Sequence, residues 1–239
     1  MIKKQLLIAV AAVLLAAPSF AQLLELNAKG SVKSTWILNK NISDDGDEQD
    51  SDFGWGYNWG GGFTFYFTKS LGVGADIMLN QHNAAFEGKF GAPLNYSYTS
   101  KITFNTLDIP MMFKIKGEES GSFLELGVNY SMFNSVNYHA SANGYNSDTD
   151  VKDKYTSSSV AGLLGLGINI DLNDRLVIQT GLRFEYGFTD VKGVDGLGMD
   201  LSNSLMYPLV YDKYQSSHLV AAGFFLGMAY SIGHVTKKI

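Results

Sequence analysis

Six charged side chains inside apolar segments are the residues of this chain best placed to do chemistry away from bulk water. Each is flanked on both sides by apolar residues: Asp76, Asp108, Lys114, Glu125, Arg183 and Glu185. Such a set could bind or translocate a small polar ligand, or its members could neutralise one another as a structural plug. Because an unpaired buried charge is costly, we expect the charges to pair, and the plug is the favoured interpretation.

The expected pairing sets three acids against two bases. Lys114 and Arg183 are predicted to neutralise Asp108, Glu125 and Glu185 in a confined interior. Asp76 is expected above them, and Glu185 is the expected partner of Arg183.

The four histidines do not form a catalytic or metal-binding pattern. Three are expected at one end of the molecule and the fourth at the other: His82, His139 and His218, then His234. His139-Ala140-Ser141 superficially resembles the His-x-Ser of a lipid A deacylase barrel, but we expect it in a long loop that would not align a base with a nucleophile. The spacing offers no zinc site, and the chain contains no cysteine for thiolate chemistry. We predict no catalytic residue, metal or cofactor.

A loop expected at 39–52 contains six acids: Asp44, Asp45, Asp47, Glu48, Asp50 and Asp52. A solvated loop is the favoured interpretation. Capture of a divalent cation is the alternative, because carboxylate oxygens suit such ions, although the spacing of a calcium loop is absent.

The charged residues lie on segments that alternate with a period of two, which is the pattern of a β-strand. Residues 107–115 are apolar at every odd position, and after a turn at 116–122 the even positions 124–132 are large and apolar. Ile102 and Phe104 are out of phase with Leu107, which predicts a bulge near Asn105.

About eight such strands follow one another, and long and short connections alternate between them. The other strands are expected at 22–38, 53–67, 71–80, 158–172, 176–188 and 219–232. Long polar connections are expected at 39–52, 81–100, 134–157 and 190–216, and short turns at 68–70, 116–122 and 173–175. Short periplasmic turns with long external loops are typical of outer-membrane barrels.

An aromatic stripe supports a lipid-facing wall. Trp36, Trp55, Tyr57 and Trp59 are predicted to form an aromatic girdle at the level of the lipid headgroups. The glycines that alternate with them would leave space inside a narrow barrel.

The start of the chain predicts export. Lys3 and Lys4 precede a short apolar run, and Ser19-Phe20-Ala21 has the form of a cleavage site, so residues 1–21 are read as a signal peptide and residues 22–239 as one barrel domain. Removing the signal lowers the count of Lys and Arg from 18 to 16 against 23 acids, which gives a net charge of about −7. That charge argues against nucleic acid as a partner.

Two segments resemble a known family. Residues 107–116, LDIPMMFKIK, and 181–191, GLRFEYGFTDV, are similar to strand signatures of the PorT-like and related outer-membrane β-barrel families. The resemblance implies an eight-stranded barrel in a Gram-negative envelope, and one branch of these families is associated with type IX secretion.

The sequence therefore predicts an all-β protein, an eight-stranded antiparallel up-and-down transmembrane β-barrel in the cell outer membrane. Its lumen should be filled by side chains, because eight strands leave little more room than that. The expected partners are outer-membrane lipid and lipopolysaccharide, and the favoured role is structural or surface interaction. An accessory role in a secretion or envelope-assembly machine and a small lipid-modifying enzyme are the alternatives.

Overall fold

The computed structural model describes residues 23–44, 47, 49–90, 96–117, 120–142, 144–193 and 214–233. Ten β-strands dominate this part of the chain: β1 Leu23–Leu38, β2 Asp50–Asp52, β3 Trp55–Tyr66, β4 Leu71–Phe90, β5 Tyr96–Lys116, β6 Ser122–Ala142, β7 Tyr145–Asp150, β8 Ser158–Asp171, β9 Leu176–Gly187 and β10 His218–Ile232. A short helix α1, Lys40–Asp44, and a 3₁₀ turn, Lys152–Lys154, lie in the connections. None of the described helices is long and apolar enough to cross a membrane.

Eight of these strands close into an antiparallel barrel. Each pairs with its neighbour along the chain, in the order β1, β3, β4, β5, β6, β8, β9 and β10, and β10 returns to pair with β1 from Leu24↔Ile232 to Leu38↔His218. The remaining two strands extend the wall at one end, where β2 pairs with β4 and β7 pairs with β6. The predicted fold class is confirmed.

Two of the predicted loops were wrong. Residues 81–100 and 134–157 look polar, yet β4 continues to Phe90, β5 begins at Tyr96 and β6 continues to Ala142. About ten residues span a membrane as a tilted strand, so strands of 20 or 21 residues rise well beyond it. Together with β2 and β7 they form a sheet beyond the apolar wall, which is called the external sheet below, and the end of the barrel that carries it is called the external end. α1 and β2 occupy part of the predicted acidic loop.

The two faces of β5 exchange character where the strand leaves the apolar zone. Outward positions are apolar at 107–115 and polar at 101–105, whereas inward positions are polar at Asp108 and apolar at Ile102 and Phe104. The phase of β5 itself does not change. Ile102 and Phe104 differ from Leu107 because they lie beyond the end of the lipid-facing wall. Beyond that point the apolar side chains must face inward to escape water.

The predicted irregularity near Asn105 is present, and the extra residue lies on the partner strand. The register of β5 and β6 shifts between Asn105↔Ser135 and Thr106↔Phe133, so Asn134 is the unpaired residue. Inward positions on β6 are odd-numbered up to Phe133 and even-numbered from Val136, which is the change of face that a one-residue bulge produces.

An apolar layer fills the barrel at the external end. Phe104 has no exposed surface, and its ring lies 5.6 Å from that of Phe133 and 5.1 Å from that of Tyr155. Ile37, Ile102, Val136, Tyr138 and Val191 belong to the same buried cluster. Burial raises the pKa of the Tyr155 phenol above its usual range, as expected for a group packed among apolar side chains.

Asp190 connects two segments of the external rim through hydrogen bonds. Its carboxylate accepts hydrogen bonds from the Tyr214 hydroxyl and from the backbone N–H groups of Lys192 and Ser217, both at 2.9 Å. Burial alone would raise the pKa of Asp190, but these hydrogen bonds lower the pKa below its usual value. Residues 1–21, read as a signal peptide, and His234 lie outside the described residues.

Candidate functional site: the charged lumen

Among the described residues, ten charged side chains lie in the lumen, in equal numbers of each sign. Five are carboxylates: Glu25, Asp76, Asp108, Glu125 and Glu185. Five are cations: Lys29, Lys33, Lys114, Lys116 and Arg183. All ten project inward from the barrel wall, and four of the cations are buried with the five acids. The lumen is therefore close to neutral, whereas the sequence predicted three acids against two bases.

Glu25 anchors the end of the lumen opposite the apolar layer. Lys116 Nζ lies 2.6 Å from its Oε2 atom, and Lys114 Nζ lies 3.5 Å from its Oε1 atom. Gln179 donates a hydrogen bond of 2.9 Å to the same carboxylate. The two lysines also lie over aromatic rings, Lys114 over Phe123 at 4.3 Å and Lys116 over the Tyr66 ring at 4.1 Å. Three strands, β1, β5 and β9, are thus joined through one carboxylate.

Arg183 pairs with Glu125, not with Glu185. Arg183 Nη2 lies 2.6 Å from Glu125 Oε2, and Lys114 Nζ approaches the other oxygen of Glu125 at 3.8 Å. Gly165 lies on β8, the strand between β6 and β9. It pairs with Glu125 of β6 on one side and with Arg183 of β9 on the other. A Cβ atom at Gly165 would lie 2.8 Å from Glu125 Oε2, so glycine leaves the space in which this ion pair forms.

Two further acids are held by lysines of β1. Lys29 Nζ lies 2.8 Å from Asp76 Oδ2, and Asn27 donates a hydrogen bond of 3.2 Å to Asp76 Oδ1. Lys33 Nζ lies 3.7 Å from Glu185 Oε2, a longer contact that leaves this ammonium without a hydrogen bond inside the described part of the protein. The prediction that Glu185 is the partner of Arg183 was therefore wrong.

Asp108 lies directly below the apolar layer with a histidine as its neighbour. His82 Nε2 is 3.5 Å from Asp108 Oδ2, and Thr106 donates a hydrogen bond of 2.6 Å to Oδ1. Asn80 also donates to this carboxylate, and Thr35 contacts the other ring nitrogen of His82 at 3.2 Å. Asp108 thus joins β5 to β4, and His82 joins β4 to β1.

Two small cavities lie between these side chains. One cavity of about 20 Å³ lies beside His82 and Glu185, and another of about 10 Å³ lies beside Lys33 and Arg183. A water molecule needs roughly 10–15 Å³ of such volume. Each cavity thus has room for about one water.

The structure places three histidines in different surroundings. His82 lies inside the lumen and not in an external loop. His139 lies on β6, not in a loop, and its Nδ1 atom is 2.7 Å from Asp148 Oδ1. His218 begins β10 and stacks on Tyr186 with the ring centroids 6.4 Å apart. Among the described side chains, no group of three His, Asp or Glu residues could hold a metal ion.

The predicted aromatic girdle maps to two adjacent strands of the outer wall. Trp55, Tyr57 and Trp59 alternate along β3, and Trp55 has 67% of its surface exposed. Trp36 on β1 is half-buried and lies edge-on to Phe53, with centroids 5.6 Å apart. Four residues of a strand cover roughly 13 Å, so the aromatic side chains form a stripe along the wall and not a ring at one height. Their position at the headgroups stays a prediction.

Four charged lumen residues were not predicted from the sequence: Glu25, Lys29, Lys33 and Lys116. The first three recur every four residues on the polar face of β1, and this spacing was visible in the sequence. Alternation showed which face they occupy but not which acids they reach, because the partners lie on other strands.

A closed antiparallel barrel with an apolar outer wall and a charged interior defines an integral outer-membrane β-barrel protein. The sequence profile of the family described as "Outer membrane protein beta-barrel domain" matches residues 20–193. The chain belongs to this family, and its location is the outer membrane.

The chain is similar to several solved structures at low sequence identity. Ail of Yersinia pestis is 13% identical, with 87% of this chain and 98% of that chain covered and a TM-score of 0.40. OprG of Pseudomonas aeruginosa is 14% identical, with coverage of 90% and 97% and a TM-score of 0.41. Neisserial surface protein A is 10% identical, with coverage of 87% and 97% and a TM-score of 0.35. No curated protein sequence matches the chain.

Proposed function

We propose that the protein is a non-conducting outer-membrane barrel whose working surface is the external sheet of β2, β4, β5, β6 and β7. The charge-balanced lumen carries this proposal, because five acids and five cations occupy the interior below an apolar layer. Moving an ion through such a lumen would require breaking buried pairs and crossing the apolar layer, and both steps are unfavourable. The role is structural or one of surface interaction.

The proposed orientation puts the external sheet on the cell surface. We expect Asp47→Cys, beside β2, to react with an impermeant maleimide on whole cells, whereas Lys69→Cys, in the short turn between β3 and β4, should react only after the cells are broken. Both positions are exposed, so accessibility of the side chain is matched. The reverse pattern of labelling would contradict the orientation.

The resemblance of residues 107–116 to the PorT-like signature supports a second candidate, an accessory component of a secretion or envelope-assembly machine. Purification in mild detergent separates the two roles. A machine component should bring partner proteins in fixed stoichiometry, whereas a surface barrel should purify alone or with lipid.

A lipid-modifying enzyme is the weakest of the three proposals. His139 is held by Asp148 on the outer face of the external sheet, and Ser141 follows two residues later on β6. Two residues of a strand separate the Cα atoms by roughly 7 Å, and in the described structure the side-chain hydrogen bond of His139 is made to Asp148 and not to Ser141. An unchanged lipid profile in a deletion strain would eliminate this alternative.

A further inference from the structure

A groove follows the outside of the barrel across the boundary at which the wall changes from apolar to polar. Its upper part has a volume of about 550 Å³ and is lined by residues of β4, β5, β6 and β7. Its lower part has a volume of about 180 Å³ and is lined by residues that include Tyr57, Trp59 and Leu79. Gln81 and Asn105 line both parts, so the two cavities adjoin.

The strand register shows how abruptly the wall changes. Trp59, Leu79, Leu107 and Met132 form one row across four strands, and the next row outward is Tyr57, Gln81, Asn105 and Ser135. The first row is apolar and the second carries amides and hydroxyls. A molecule in the groove would therefore contact lipid-facing side chains at one end and hydrogen-bonding side chains at the other.

Hydrogen-bonding groups continue up the groove. Asn137 and Thr149 supply an amide and a hydroxyl, and Lys101 supplies a cation that makes no ion pair with any described residue. Asp148 and Asp150 supply two carboxylates, one of which contacts His139. The lining thus has two carboxylates against the single lysine. That balance disfavours a phosphate group, whereas mixed donors and acceptors suit the hydroxyl groups of a sugar.

We propose that this groove binds the saccharide headgroup of a glycolipid in the outer leaflet, with the lipid end of the ligand against Tyr57, Trp59 and Leu79. Amphipathic aromatic rings suit the junction between sugar and acyl chain. The external sheet then holds a specific lipid of the membrane in which the barrel lies. This inference rests on the proposed orientation, since the groove must open towards the outer leaflet.

The test is a titration of the detergent-solubilised protein with purified lipopolysaccharide from which the phosphate groups have been removed, followed by tryptophan fluorescence because Trp59 borders the groove. Lys101→Ala combined with Asn137→Ala removes two exposed hydrogen-bonding side chains from the lining. We expect this variant to bind about tenfold more weakly or worse, as loss of two hydrogen bonds to a ligand predicts. Lys89→Ala combined with Thr99→Ala, at exposed positions on β4 and β5 that do not line the groove, is the matched control and should bind as the unaltered protein does.

A second arm uses the same lipopolysaccharide after removal of its acyl chains. The intact glycolipid should bind at least about tenfold more tightly than the free saccharide, because the aromatic end of the groove contacts only the former. Equal binding would show a free saccharide ligand and overturn the lipid assignment. If the groove variant and the control bind equally well, the groove is not the binding site. Absence of binding by the unaltered protein would also contradict the proposed site. Heat-modifiable gel mobility checks the fold of each variant, and the cysteine labelling tests the orientation separately.

Discussion

Replacing Arg183 by leucine is expected to lower the free energy of unfolding by about 3–5 kcal/mol, the usual effect of removing one partner of a buried ion pair. The change removes the 2.6 Å contact of Glu125 with Arg183 and leaves the Lys114 ammonium, at 3.8 Å, as its remaining ion-pair contact among the described side chains. Urea unfolding in micelles, followed by heat-modifiable gel mobility, measures the loss. Arg175→Leu is the control, because Arg175 lies exposed in the turn between β8 and β9.

A second substitution identifies the partner of Arg183. Glu125→Leu in the Arg183→Leu background removes the uncompensated carboxylate and should restore part of the lost stability. Glu185→Leu in the same background should not, because it takes the acid away from Lys33, which lies 3.7 Å from Glu185. Equal rescue by both changes would contradict the pairing observed in the lumen.

Replacing Phe104 by alanine is expected to destabilise the protein by about 3–5 kcal/mol, as for other fully buried phenylalanines. The substitution would leave a cavity between Phe133 and Tyr155, whose rings lie within 5.6 and 5.1 Å of it. Urea unfolding gives the size of the effect, and hydrogen exchange should show increased exchange first in the external parts of β5 and β6.

The control for Phe104→Ala is Thr99→Ala on the outer face of the same strand. Thr99 is exposed beyond the apolar wall, so its replacement should change stability by no more than about 0.5 kcal/mol. If both variants unfold at the same urea concentration, the apolar layer does not contribute to folding.

The barrel could be predicted from the sequence because alternation with a period of two determines which side chains share a face. Alternation does not identify the inner face, however, and the inner face changes from polar to apolar along β5. Ile102 and Phe104 were read as a change of phase on their own strand, while the extra residue is Asn134 on β6. The polar residues at 81–100 were read as a loop because they form the water-facing side of an external sheet.

The pairing in the lumen was less predictable than its location. All six predicted lumen residues project inward and are buried, but Lys29 and Lys33, the partners of Asp76 and Glu185, were not included. The ion pair of Glu25 with Lys116 was not predicted either. Which acid each cation reaches depends on the stagger of the strands and on glycines such as Gly165, which leave space between paired side chains. Neither the stagger nor the effect of these glycines can be predicted from the sequence of a single strand.

Planar-bilayer recording of the purified protein tests the proposed closed lumen most directly. With the charges paired and the apolar layer above them, we expect no steady conductance from the unaltered protein, and none from Arg183→Leu while that variant remains folded. Steady ohmic conductance of uniform size from folded protein, with a selectivity that changes in Arg183→Leu, would show a hydrated pathway and contradict the account.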